Sequence, residues 1–363
     1  MSTLNDLTII IPTYKRTEYI KRSIAFWNEK EVNVLILDGS EKSIMDSEDL
    51  IVASNIKYIH SFSTIFNRLN IAMDIVDTKY CVLLGDDEFF TPSAMEKAIM
   101  FLDTHPSYVA CGGQCISFSK STAGGIDYRL RYPKFLNLDL SVDDASLRVI
   151  SHFENYTCAH IYSIMRTNVW KRAVWPLTQS DFSAYGAGEL AFEFIASYMG
   201  KCKLLPILYW FRSAENSSNL SSEKSTNPAY KFEIWWKEMK YAPERERFQS
   251  LVFQALQVND QHIDIKATFD LAFKGYYLNS VRPQVSSLIR KVLSRIKVFR
   301  LIKTVILNKS SRKINFDDMK DTSEYVEILH ILQSRDVYAD KASFGEITKI
   351  LLDFHNSKSK FFN

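Results

Sequence analysis

Residues 80–84, Tyr-Cys-Val-Leu-Leu, form an apolar run that ends directly in Gly85-Asp86-Asp87-Glu88. Three carboxylates crowded at the end of a buried strand repel one another and lose solvation, so a positive partner is expected beside them. Two more strand-like runs end in polar turns. Ile9-Ile10-Ile11 leads into Pro12-Thr13-Tyr14-Lys15-Arg16, where Tyr14 offers a stacking face and Arg16 a forked donor suited to phosphate. Val34-Leu35-Ile36-Leu37 leads into Asp38-Gly39-Ser40. Further on, Glu189 follows Gly188 at the start of an apolar helical pattern, with Glu193 one turn later. Acids crowded at one strand end, and turn residues with an aromatic ring and an arginine at another, are the residue types that meet a charged ligand.

Simpler readings stand beside these. Asp86, Asp87 and Glu88 could cap the helix that opens at Pro92, and Glu189 could be a first-turn acid favoured by the helix dipole. Asp38 before Gly39 is also an ordinary turn residue. Glu193 could be a salt-bridging helix acid.

The elements that must position these residues alternate through the first hundred residues. Strands are expected near 7–11, 32–37, 56–59 and 80–84, with helices over 18–28 and 63–77. Such alternation predicts βαβ units and a mostly parallel sheet flanked by helices, whose ligands bind beyond the carboxyl ends of the strands. Every polar cluster named above falls at such an end. From 108 to 211 the pattern is mixed: a strand over 109–118, a loop over 119–137, a helix over 141–153, a strand over 159–165, a helix over 189–199 and a last strand over 204–211. A Ser/Asn-rich link follows, then an almost wholly helical region. The chain is expected to divide into a catalytic domain over 1–222 and a helical C-terminal region over 223–363.

The 363 residues are 46% hydrophobic and 13% aromatic, enough for a substantial core, and the net charge of +3 points to no partner by itself. The five scattered cysteines are expected as buried free thiols in a reducing compartment. No signal peptide is expected at the N-terminus, and no apolar run reaches the length of a membrane span.

Taken in order, "TIIIPTYKR", "VLILDGS", "GDDEFFTP" and "YGAGELAFEFIASYMGK" followed by "LLPILYWFR" resemble the family 2-like glycosyltransferases of GT-A fold, over about residues 5–215. The resemblance implies an inverting transfer of a sugar from a nucleotide-sugar donor, UDP-sugar by preference, to a hydroxyl of a surface-polysaccharide or lipid-linked glycan acceptor. It implies Glu189 as general base, with Leu190 where relatives carry a second acid and Glu193 as the alternative base. It implies Asp87 and Glu88 at a divalent cation, Mg or Mn, with Asp86 reaching the donor. It further implies nucleotide contacts from Pro12, Thr13, Tyr14, Arg16, Asp38, His60, Asn70 and Arg212. His160 and Arg166 fall in the acceptor half, where a structural role is expected for each. Two departures matter: Gly85 stands where the usual D-x-D begins, leaving weakened metal dependence as an alternative, and Arg68 is displaced by one from the expected Arg-Asn pair at Asn70.

From Leu271 to Phe316 there is no acidic residue, and the basic amphipathic stretch 285–313 is expected to touch an anionic membrane surface or pack as a solvated helix. Nucleic acid is not an expected partner, because no recognition motif is present. The expected place of work is the cytoplasm, on the inner face of the membrane where the acceptor is lipid-borne. The alternatives are a nucleotidyltransferase, which would want glycine in the loop after the first strand, and a non-catalytic nucleotide- or glycan-binding module.

Overall fold

The computed structural model describes residues 2–28, 30–46, 52–122, 124–180, 182–184, 186–216, 231–257, 263–293 and 325–361; the side chains of 46, 263, 281–293 and 358–361 are outside that description. The expected boundary near 222 and most of the 285–313 stretch fall outside the described residues. Of the latter, only the helical backbone up to Leu293 is described.

The runs of β-branched and leucine residues become the central strands. β1 (Leu7–Thr13), β2 (Asn33–Asp38), β3 (Ile56–His60) and β4 (Tyr80–Leu83) form one parallel half in the order β3-β2-β1-β4. Ile9, Ile10 and Ile11 are fully buried, as expected where helices cover both faces of a parallel sheet. β1 does not stop at Pro12 but continues to Thr13, whose carbonyl accepts the Gly39 N–H at 3.0 Å. α1 (Thr17–Trp27) and α2 (Ile65–Ile75) supply the crossovers.

Beyond β4 the sheet is mixed. β8 (Ile164–Arg166) pairs antiparallel with both β4 and β6 (Tyr108–Lys120), and β6 pairs parallel with β9 (Lys201–Ser213). β5 (Phe89–Phe90) closes the far edge on β9. The 119–137 stretch, expected as a loop, contains β7 (Ile126–Arg131), an antiparallel partner of β6 in which Ile126 and Tyr128 point inward between more exposed Asp127 and Arg129. The expected strand over 159–165 shrinks to β8, because Glu193 captures the His160 and Ile161 amides before they can join a ladder.

α3 (Pro92–Thr104), α4 (Ala145–Glu154), α5 (Thr167–Gln179) and α6 (Ala187–Met199) pack around the sheet. α6 is buried on almost every side, which suits a core helix. α7 (Phe232–Lys237), α8 (Ala242–Leu256) and α9 (Ile263–Leu293) form an aromatic layer in which Phe273 meets Phe153 of α4 at 5.1 Å between ring centres. α10 (Tyr325–Gln333) and α11 (Lys341–Phe361) return to the sheet, where Phe344 meets Phe211 and Tyr128. Sheet and C-terminal helices therefore share one continuous core. All five cysteines are buried free thiols. No helix among the described residues is long and apolar enough to cross a membrane.

Candidate active site

The carboxyl ends of β1, β2 and β4 open into a cleft of about 690 Å³ lined by Pro12, Thr13, Tyr14, Arg16, Asp86 and Asp87, and by Phe62, Ser63, Thr64, Ile65 and Arg68 at the start of α2. The rim is tied across two strand ends: Lys15, in the left-handed region at φ 54°, donates its N–H to Ser40 Oγ at 2.9 Å. Pro12, Thr13, Tyr14, Arg16, Asp86 and Asp87 are thus brought together as the sequence implied.

The acid cluster has positive partners within the chain. Asp86 accepts from Thr13 Oγ1 (2.7 Å) and from Arg16 (3.0 Å), and the same guanidinium nitrogen lies 3.4 Å from Asp87. Asp87 also accepts from Asn216 (2.8 Å), and its backbone carbonyl accepts from buried Arg22 (2.9 Å). Burial, followed by the charge of Asp87, raises the Asp86 pKa, while Thr13 and Arg16 pull against that rise.

Glu88 points elsewhere. Its carboxylate accepts the Trp210 indole N–H at 2.8 Å, with Arg212 Nε at 3.8 Å, and it does not line the cleft. Burial, then Asp87, pushes its pKa up to about 8. A Cβ on Gly85 would come within 3.0 Å of the Glu88 side chain, so a larger residue at 85 would crowd Glu88 in this pose.

Asp38 lies behind the cleft wall, fully engaged: Tyr58 donates its hydroxyl at 2.5 Å and Ser40 its N–H at 2.8 Å. His60 is exposed and bonded through Nε2 to the Ser40 carbonyl. Asn70 is exposed on α2 and away from the cleft. Arg68 takes the inward place: its guanidinium donates to the carbonyls of Thr13 (2.5 Å) and Leu37 (2.6 Å). Two positions along a helix differ by about 200°, so Arg68 facing the cleft turns Asn70 to solvent. Gly39 makes room for it, since a Cβ there would stand 2.5 Å from the Arg68 guanidinium carbon.

Glu189 sits half-buried in the first turn of α6, where Tyr156 donates its hydroxyl to Oε1 at 2.5 Å. Burial first, then Glu193, raises its pKa; Tyr156 and Arg212 oppose the rise. Arg212 therefore acts on both Glu88 and Glu189 and links the strand-end acids to α6. Glu193 is fully buried and accepts four hydrogen bonds, from His152 (2.9 Å), the His160 ring (2.7 Å) and the amides of His160 (2.9 Å) and Ile161 (3.0 Å). Burial alone would raise its pKa, but the His160 and His152 contacts hold it down at about 2. With all its acceptor capacity used, Glu193 is a structural anion, and His160 is its partner. Arg166 likewise spends its donors on the carbonyls of Tyr108 and Leu102.

Residues 8–160 match the family model described as Glycosyl transferase family 2. No curated protein matches the chain. Among solved structures, S. aureus TarS 1-349 in complex with UDP-GlcNAc is 14% identical with a TM-score of 0.41, over 77% of this chain and 91% of that one. A longer S. aureus TarS structure is 14% identical with a TM-score of 0.39, over 75% of this chain and 54% of that one, so the chain spans about half of its length.

Two side-chain groups bring together the kinds of donor a metal takes. Asp86 and Asp87, two cleft carboxylates whose charges oppose each other, form a donor set of hard oxygens that fits Mg or Mn. Glu88 in its present pose does not join them. His152, His160 and Glu193 offer donor atoms within 4.8 Å of one another. Their 2.7–2.9 Å separations are those of hydrogen bonds, whereas ligands about 2.0–2.1 Å from a tetrahedral zinc stand roughly 3.3 Å apart. That cluster is a hydrogen-bonded knot.

Sequence reasoning missed Arg22, Asn216, Tyr58 and Tyr156. Each reaches its partner over 20 to 129 positions of chain, and none carries a local signal.

Proposed function

We propose that the chain is an inverting glycosyltransferase that moves a sugar from a nucleotide-sugar donor, a UDP-sugar by preference, to a hydroxyl of a surface-polysaccharide or lipid-linked glycan acceptor. The observation that carries this reading is an acid-lined strand-end cleft together with a half-buried, proton-avid carboxylate at Glu189, which shares the charge of Arg212 with Glu88, the neighbour of the cleft acids. In this reading the donor diphosphate lies along Arg16 near Asp86 and Asp87, and the nucleoside lies between Tyr14 and the wall around Phe62. Glu189 takes the proton from the acceptor hydroxyl as its oxygen attacks the anomeric carbon. The bond from that carbon to the phosphate oxygen breaks, and the nucleotide leaves with the negative charge. A divalent cation held by Asp87 with Asp86 would supply charge neutralisation for the leaving diphosphate.

A base whose pKa lies above the ordinary carboxylate range is a stronger proton acceptor, which favours Glu189 over Glu193. Replacement by Gln tests the reading. Glu189→Gln is expected to abolish sugar transfer, assayed by nucleotide release with a glycan acceptor, while UDP affinity stays within about threefold of wild type. Retained turnover refutes the assignment. The bridging of Asp86 and Asp87 by Arg16 favours one variant reading, in which leaving-group charge is met by arginine without a cation; full activity in EDTA would identify it.

A further inference from the structure

Tyr156 belongs to the segment between α4 and β8, which α6 grips at two points one turn apart. Glu193 holds the segment through the His160 and Ile161 amides, and Glu189, four residues earlier on the same helix face, receives the Tyr156 hydroxyl at 2.5 Å. The phenol ring is fixed from the other side by Tyr276 of α9 at 5.0 Å and Phe153 of α4 at 5.8 Å between ring centres. Only Oε1 of Glu189 accepts a hydrogen bond among the described residues, so Oε2 is left to meet a substrate proton.

We propose that Tyr156 is a positioning residue whose hydroxyl holds the Glu189 carboxylate ionised and fixed, with one oxygen presented for proton removal. This rests on the reading of Glu189 as the base. The groups that face Glu189 are Glu193 on its own helix, Arg212 on β9, Tyr276 on α9, and Tyr156, Cys158 and Tyr162 on the gripped segment. Arg212 and the Tyr156 hydroxyl favour the ionised form, while burial and Glu193 oppose it. Removing the hydroxyl therefore lets the carboxyl hold its proton to higher pH. A hydrogen bond to a charged group is strong enough to move that titration by about one to two pH units.

The test is the pH profile of kcat/KM for wild type, Tyr156→Phe and Glu189→Gln, with 3-fluorotyrosine at position 156 as a fourth protein. In Tyr156→Phe the acid limb is expected to move up by about one to two pH units, with activity recovering at high pH. With the more acidic 3-fluorotyrosine the limb is expected to move down. A limb that stays in place in both, whether the rate falls uniformly or not at all, overturns the positioning role. If Tyr156→Phe does not fold, the fluorinated protein, which keeps the shape, decides alone. Turnover retained in Glu189→Gln means instead that the base assignment has failed.

Discussion

Glu88→Gln isolates the electrostatics of the acid cluster. In the folded protein Glu88 keeps its proton up to about pH 8, against an ordinary 4.5, because burial and Asp87 disfavour its charge. The folded state thus binds this proton more tightly than the unfolded chain does. Stability is then full below about pH 4.5 and declines as pH rises toward 8, above which the whole penalty is present. The interval is about 3.5 pH units at about 1.36 kcal/mol each, a ceiling of about 5 kcal/mol, and structural relaxation brings the expected figure to about 2–3 kcal/mol. Gln keeps an acceptor for the Trp210 indole and carries no charge. Melting curves in EDTA from pH 5 to 9 should therefore diverge, the variant gaining on wild type by about 4–6 °C above pH 8, at roughly 2 °C per kcal/mol for a chain of this size. Parallel curves across that range would refute a buried, proton-holding Glu88.

Gly39→Ala drives a Cβ into the Arg68 guanidinium, so the cleft floor must shift; UDP affinity, measured by calorimetry, should fall at least about tenfold, the equivalent of 1.4 kcal/mol. Arg16→Gln leaves Asp86 and Asp87 without their bridging cation, and the KM for donor should rise by at least about tenfold with a smaller change in kcat. Glu193→Gln replaces a buried carboxylate that accepts four hydrogen bonds, and denaturant melts should show a loss of about 3–5 kcal/mol.

The parallel half of the fold was legible because Ile9 to Ile11 and Val34 to Leu37 are runs that only a doubly covered sheet can bury, each closed by a polar turn. Those turns made Thr13, Arg16, Asp86 and Asp87 readable as cleft residues. β7 was hidden by its Gly-rich approach and exposed arginines, although Ile126 and Tyr128 already alternate. The 159–165 segment reads as a strand from its apolar content, and a side chain 32 positions away overrides that propensity. Asn70 followed a family pattern, whereas the helix phase that turns Arg68 inward is a property of α2. Glu88 was grouped with its neighbours because adjacency in sequence carries no direction. Its partner Trp210 lies 122 positions away, on a strand whose register with β5 decides where the carboxylate points.

Hydrogen–deuterium exchange with and without saturating UDP tests most directly whether the strand-end cleft is the nucleotide site. Slower exchange is expected in peptides carrying Thr13 to Arg16, Gly39 and Ser40, Ser63 to Arg68, and Gly85 to Asp87, the backbone that surrounds the cleft. Protection confined to other surfaces, or no protection at a concentration that saturates the protein, would contradict the account.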